Sequence, residues 1–210
     1  MSELNDYSAD VGFCRQVSRS FCEHIRQEVA EIFPDKAVVA AGGCVRDVLI
    51  GSTPKDYDIF VLGFPNPDEA REEVCRKLEG AGFRATEPTH HLSEPFLAGT
   101  FIVGGLMVQV MASSFATPEE LVDSFDWNVS RYVWDGGRVL GESIINIGRG
   151  KPLLLHKTTF PLSTLRRGFR FSERFGMDFP VETVIEISLS IIAQWKRDAE
   201  AAEPIGKEVP

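Results

Sequence analysis

The apolar run Ala37 to Ala41 stops at two glycines, Gly42-Gly43, and the chain resumes as Val45 to Ile50, closed by Gly51. A short buried strand passing through paired glycines into one or two helical turns is a constrained junction. Glycine alone enters the positive-φ regions without a Cβ penalty, and it lets backbone approach a ligand closely. Nine residues after Asp47 the chain reads Asp56-Tyr57-Asp58, at the head of a second strand over Tyr57 to Leu62. Residues two apart on a strand point to one face, so Asp56 and Asp58 present their carboxylates together.

The remaining periodicities surround these two segments with helices and hairpins. Val11, Cys14, Val17, Phe21, Ile25, Val29 and Ile32 recur at three and four, predicting an amphipathic helix over 9–33 that ends near Pro34. Asn66-Pro67-Asp68-Glu69 reads as a helix start, with an Asn cap, Pro at the first position and Glu69 reaching back; that helix should run to Leu78. Strands are expected over Phe83–Thr86, Thr100–Val103 and Leu106–Met111, the last two joined as a hairpin by Gly104-Gly105. Thr117-Pro118-Glu119-Glu120 repeats the capping logic for a short helix through Phe125. Asn128–Trp134 and Arg138–Leu140 flank Asp135-Gly136-Gly137, a second hairpin signal.

Beyond Arg149 the spacing turns helical, over Ser163 to Phe175 and Val181 to Trp195, and the Glu-, Ala- and Pro-rich stretch Asp198 to Pro210 reads as a frayed end. The expected organisation is a mixed domain over 1–150, a helical segment over 151–198 and a flexible acidic tail over 199–210. The apolar face of Val184, Ile187, Ile191 and Ile192 would either complete the core or serve as a dimer contact.

Composition narrows the function classes. With 210 residues, 43% hydrophobic and 25% charged, the chain is expected to bury about 70% of its unfolded surface, enough for a core without metal or disulfide staples. No apolar run approaches the roughly 20 residues of a membrane span. The polar, acidic Met1 to Asp10 has no secretory pattern, so a cytoplasmic location is expected. Four cysteines without a CxxC pair read as small buried hydrophobes, and four histidines show no zinc-ligand spacing. A net charge of −9 argues against a protein that coats nucleic acid along its whole surface. Between Arg149 and Arg174, however, seven Lys or Arg stand against the single acidic Glu173.

The chemistry is carried by Gly42-Gly43-Cys44-Val45-Arg46-Asp47 with Asp56-Tyr57-Asp58. Amides at a helix start cradle phosphate, and Arg46 adds a positive fork. Two adjacent carboxylates with phosphates nearby suit Mg²⁺, and that pairing serves phosphoryl or nucleotidyl transfer. Alone, a Gly-Gly is a turn and an Asp-x-Asp is a solvated strand end; their order and spacing carry the reading. Arg167, Arg170 and Arg174 recur at three and four, forming either an anion-binding face or a solvated basic one.

These residues resemble the signature of the class II nucleotidyltransferases, the bacterial-type poly(A) polymerases and CCA-adding enzymes of the DNA polymerase β superfamily. Asp126-Trp127-Asn128-Val129 through Asp135-Gly136-Gly137 is similar to that family's next motif, and Leu165 to Gly176 to its neck helix. The resemblance implies an α+β fold: a small mixed, largely antiparallel sheet with helices on one side, followed by a short helical neck. It implies that Gly42, Gly43 and Arg46 hold the triphosphate and that Asp56 and Asp58 are catalytic and hold two Mg²⁺ ions. Asp126 and Asn128 would contact the sugar or order the site, and Arg167 and Arg170 match the neck arginines that bind nucleotide.

The implied reaction transfers a nucleoside monophosphate from a triphosphate to an acceptor hydroxyl, an RNA 3′ end by the family's commonest chemistry, with no membrane partner. Two other readings stand beside it: nucleotidylation of a protein or small molecule, and a nucleotide-binding regulatory module with weakened catalysis. The pattern departs from the family at Gln109, where a third acidic residue is usual, and at Thr164, where the neck motif commonly opens with arginine. The match is to a head and partial neck, with none to the tRNA-gripping body, so base choice does not carry over.

Overall fold

The protein is described here by a computed structural model covering residues 13–86 and 97–202. Its helices are α1 (Phe13–Ile32), α2 (Gly43–Ile50), α3 (Pro67–Gly80), α4 (Pro118–Ser124), α5 (Pro161–Phe175) and α6 (Val181–Ala202). Its strands are β1 (Val38–Ala41), β2 (Asp56–Val61), β3 (Leu97–Val103), β4 (Leu106–Ala112), β5 (Tyr132–Trp134) and β6 (Val139–Gly141). They form one sheet in the order β3-β4-β2-β1-β5-β6, antiparallel throughout except where β2 meets β4. The sheet is thus mixed and largely antiparallel, as the α+β reading requires.

The chain divides into two compact units, one of Met1–Phe125 with Val129–Ile145 and the other of Asp126–Asn128 with Asn146–Pro210. In the first unit, alternation along β2 decides what each face meets. Tyr57 meets Phe21 of α1 edge-on, ring centroids 4.8 Å apart, and the same helix buries Ile25 and Val29 completely. On the opposite face Phe60 joins Val39, Ala41, Met111, Val133 and Leu140 against Leu121 and Val122 of α4. Burying side chains of this size contributes about 1.5–3 kcal/mol each. The short α4 therefore covers the face that carries Asp56 and Asp58, while α1 covers the other.

Turn chemistry follows the sequence closely at the hairpins. Gly104 and Gly105 sit at φ 57° and 81°, the two positive values a two-residue primed turn needs. Asp135 accepts the N–H groups of Gly137 and Arg138 at 2.9 and 2.8 Å, closing the β5–β6 turn. Burial would push its carboxyl up, but those amides and the Arg138 guanidinium outweigh it and hold the group below its usual value. Thr117 caps α4 by accepting the Glu120 amide at 3.2 Å, whereas Asn66 makes no side-chain cap bond at α3, where Pro67 alone marks the start.

Four expectations need correction. Phe83–Thr86 is not a strand but a single bridge, Ala85 to Phe101. Asn128–Ser130 is a 3₁₀ turn and not the head of β5, because the Asn128 side chain is occupied elsewhere (below). α2 begins two residues earlier than expected, at Gly43. α6 runs on through Ala202, so the first part of the expected frayed tail is helical, since Ala199, Glu200, Ala201 and Ala202 are good helix formers. The expected helix start at 9–12 and the tail at 203–210 lie outside the described residues. Among the described residues, no helix is long and apolar enough to cross a membrane.

The second unit is organised by Trp127, fully buried, whose Nε1 donates to the Thr164 carbonyl at 3.0 Å. Its ring meets Phe179 edge-on at 5.3 Å, and Gly168 of α5 lies against both: a Cβ built there would come within 2.7 Å of each ring. Gly168→Ala should therefore destabilise this unit by about 1–2 kcal/mol, because overpacking outweighs the roughly 1 kcal/mol that alanine gains in a helix. Urea unfolding followed by the near-ultraviolet circular dichroism of the tryptophans measures it, and an unchanged or raised midpoint would contradict this packing.

Candidate active site

Register places the carboxylates. β1 pairs with β2 so that Ala41 lies opposite Asp58, and β4 pairs with β2 so that Gln109 lies beside Asp58 and Met107 beside Asp56. Paired residues emerge on one face, so Gln109, Asp58 and the end of β1 form a row across the sheet. Asp56 and Asp58 are both half-buried at the head of β2, about 7 Å apart along the strand.

One residue beyond Ala41 the backbone turns at Gly42, with φ 72° and ψ −131°, a conformation closed to other residues. A Cβ built on Gly42 would lie 3.8 Å from Asp58 Oδ2 and from the Phe125 ring, so the turn borders the carboxylate directly. Gly42 donates its N–H to the Tyr132 carbonyl at 2.7 Å, which ties the turn to β5. α2 then starts at Gly43 with no side-chain cap, leaving its first-turn amides to a ligand or water. The structure thus brings together Gly42, Gly43, Asp56 and Asp58 within the first unit.

Arg46 has a different place. It is 3% exposed, its Nε donates to Asp47 Oδ1 at 2.8 Å, and its Nη1 donates to the Val129 carbonyl at 3.2 Å. Asp47 is equally buried. The expected phosphate fork is an internal strut that holds the first turn of α2 against the segment leading into β5. Cys44, beside it, donates its thiol to the Ala41 carbonyl at 3.2 Å. A hydrogen bond with Cys22, together with burial, pushes that thiol well above its usual value, so it is no nucleophile at neutral pH. Cys22 and Cys44 are buried as expected and Cys75 is half-buried.

The other candidates fall in the second unit. Arg167 donates from both Nε and Nη2 to Asp126 Oδ2, the Nε bond measuring 2.9 Å. Asn128, 2% exposed, donates to the Pro152 carbonyl at 3.3 Å and accepts the Leu154 amide at 3.2 Å. The Asp126 carbonyl accepts the His156 amide at 2.7 Å. Asp126 and Asn128 thus order this unit's backbone. Arg170 is exposed on α5. Phe125, whose ring walls the Gly42 turn and meets Phe60 edge-on at 6.3 Å, carried no signal in the sequence spacing.

Hard oxygen donors of this kind suit Mg²⁺: Asp58 stands beside the Gln109 amide, Asp56 follows on the same face of β2, and further positions are left for phosphate and water. Among the described residues no cluster of three or more His, Cys, Asp or Glu could hold a metal, so the two aspartates would need substrate oxygens to complete the shell.

A family model described as Gabija anti-defense 2 family protein matches residues 13–146. The chain belongs to that family. This member is also 27% identical over 155 residues to a CC-adding tRNA nucleotidyltransferase of Thermus thermophilus, covering 72% of this chain and 33% of that protein. Solved structures of CCA-adding enzymes share its fold. One in complex with ATP has a TM-score of 0.61 at 16% identity, over 94% of this chain and 48% of that one. The Thermotoga maritima enzyme complexed with tRNA has a TM-score of 0.57 at 15% identity, over 83% and 42%. The chain therefore spans about a third of the curated relative and under half of these structures.

The buried position of Arg46 makes a sharp expectation. Arg46→Ala strands a buried carboxylate, which costs about 3–5 kcal/mol of folding stability. A residue whose task was only to grip phosphate would leave the denaturation midpoint unchanged and weaken nucleotide binding alone, so chemical denaturation of the variant distinguishes the two.

Proposed function

We propose that this Gabija anti-defense 2 family member is a Mg²⁺-dependent nucleotidyltransferase. It would move the monophosphate of a nucleoside triphosphate to an acceptor hydroxyl, an RNA 3′ end. The observation that carries this reading is the half-buried Asp56–Asp58 pair bordering the Gly42 turn and an uncapped helix start. The acceptor oxygen forms a bond to the α-phosphorus and the bond to the pyrophosphate oxygen breaks in line. Gly42 and Gly43 would let the phosphates approach the first amides of α2. Asp56 and Asp58 would hold the metal. When bound, Mg²⁺ lowers the pKa of the attacking hydroxyl and stabilises the leaving oxygens. Arg46, through Asp47 and the Val129 carbonyl, would keep the turn in place without touching substrate. Arg170 would add cationic charge for an anionic substrate, while Arg167 acts through Asp126.

RNA as acceptor is supported by the similar proteins, which include a CC-adding tRNA nucleotidyltransferase and a CCA-adding enzyme complexed with tRNA. A second reading, transfer to a protein, is favoured by the family's description as anti-defense, which makes a component of the Gabija defense a natural acceptor. The third, a regulatory module with weakened catalysis, draws on Gln109 standing beside Asp58.

The purified protein with Mg²⁺, each α-labelled ribonucleoside triphosphate, and total cellular RNA and protein should place label in a nuclease-sensitive product. Label in protein would move the assignment to the second reading, and nucleotide binding without any labelled product to the third. Asp56→Ala with Asp58→Ala should abolish transfer and leave the fold intact, since both side chains stand at a strand head outside the apolar core; persistent transfer would refute the assignment. Arg170→Ala should weaken binding of triphosphate or RNA by about 1–3 kcal/mol, the scale of one charge-assisted hydrogen bond, in a titration at fixed salt. Unaltered affinity for both would make this arginine a solvated surface residue.

A further inference from the structure

α6 carries two apolar faces. Ile187 and Ile191 are buried, in a helix that packs along α5. A second stripe is left in solvent: Val181 is 66% exposed, Ile185 54%, Leu189 60%, Ile192 47% and Trp195 62%. At 100° per residue these five fall within an arc of about 120° and run for about 21 Å. Single exposed apolar side chains need no explanation, but a continuous stripe of five marks a contact surface.

We propose that this stripe is the seam of an antiparallel pair formed by α6 of two copies of this chain. The argument is charge complementarity of the helix with itself. Glu182 and Lys196 are both exposed, and each stands seven residues from Leu189, at the Leu189 edge of the stripe, Glu182 about 20° outside that residue and Lys196 about 20° inside it. In an antiparallel pair the same flanks face each other. Glu182 of one copy then meets Lys196 of the second, the reciprocal pair forms by symmetry, and Leu189 meets its own mate at the two-fold. In a parallel pair Glu182 would face the opposite flank, where Val184 and Ile191 stand, and no such pair could form. A two-fold contact of this kind closes on itself and yields a dimer, not a fibre. An anionic lipid surface fits the stripe poorly, because the flank that carries Lys196 also carries Glu182 and Glu186, which such a surface repels.

The test uses the whole chain and needs no activity. Sedimentation equilibrium from roughly 1 to 200 µM, the range expected of a small seam, should show a reversible monomer–dimer equilibrium. Tryptophan emission should move to shorter wavelength as the dimer forms. Trp195 is the reporter, since Trp127 and Trp134 are 0% and 9% exposed. Leu189→Lys, which sets two like charges against each other at the two-fold, should abolish the dimer. Glu182→Lys and Lys196→Glu should each weaken it by about tenfold, because two symmetry-related pairs turn repulsive together. The double exchange Glu182→Lys with Lys196→Glu should restore it. All these side chains are exposed, and circular dichroism checks that each variant keeps its helices. A monomer throughout this range overturns the proposal. So does a dimer that survives Leu189→Lys, or one that the double exchange fails to restore.

Discussion

The pairing of Ala41 with Asp58 across β1 and β2 is the contact on which the candidate site depends. It sets the last residue of one strand beside a carboxylate of the next, one position before the chain turns at Gly42. Because strand side chains alternate, the same register that buries Phe60 against α4 leaves Asp58 and Asp56 on that face toward the strand head. A slip of one residue would turn both carboxylates toward the α1 face and bring Tyr57 out of contact with Phe21. The apolar core and the carboxylate pair are thus fixed by one choice of register, and neither can be lost without the other.

Arginine does much of the joining in both units. Arg46 binds Asp47 and the Val129 carbonyl, Arg131 lies 2.8 Å from Asp123 and 3.5 Å from Glu142 while 6% exposed, and Arg167 holds Asp126. A planar fork that never loses its charge suits such places, where several acceptors must be met from one side chain. Losing Arg46, Arg131 or Arg167 is costly because Asp47, Glu142 and Asp126 stay buried, whereas Asp123 reaches solvent. Arg46, beside paired glycines, thus has its partners within the protein, Asp47 and the Val129 carbonyl, and ties the start of α2 to the segment before β5.

The parts legible in the sequence were those written in local chemistry. Gly42 and Gly51, the Gly104-Gly105 turn, the Thr117 cap and the Asp135 turn all depend on neighbours within a few residues, and all are present. Asp56 and Asp58 share a face because strand periodicity demands it. What escaped was set by contacts distant in the chain. Asn128 reads as strand but is held in a 3₁₀ turn by Pro152 and Leu154, 24 and 26 residues away. Arg46 reads as a free cation until the Val129 carbonyl, 83 residues on, accepts a hydrogen bond from it. Phe125 becomes a wall of the Gly42 turn only once α4 is laid on the sheet.

α6 shows the same limit from the other direction. Its sequence is apolar on two adjacent stripes, so periodicity alone could not say which one faces inward; Val184, Ile187, Ile191 and Ile192 read equally as core or as contact. Packing along α5 decides it by burying Ile187 and Ile191, and Ile192 then falls on the open stripe with Leu189 and Trp195. A helix bordering one neighbour needs one apolar stripe. The second is explicable only by a second neighbour, and the placing of Glu182 and Lys196 at equal distances from Leu189 gives that neighbour the sequence of α6 itself.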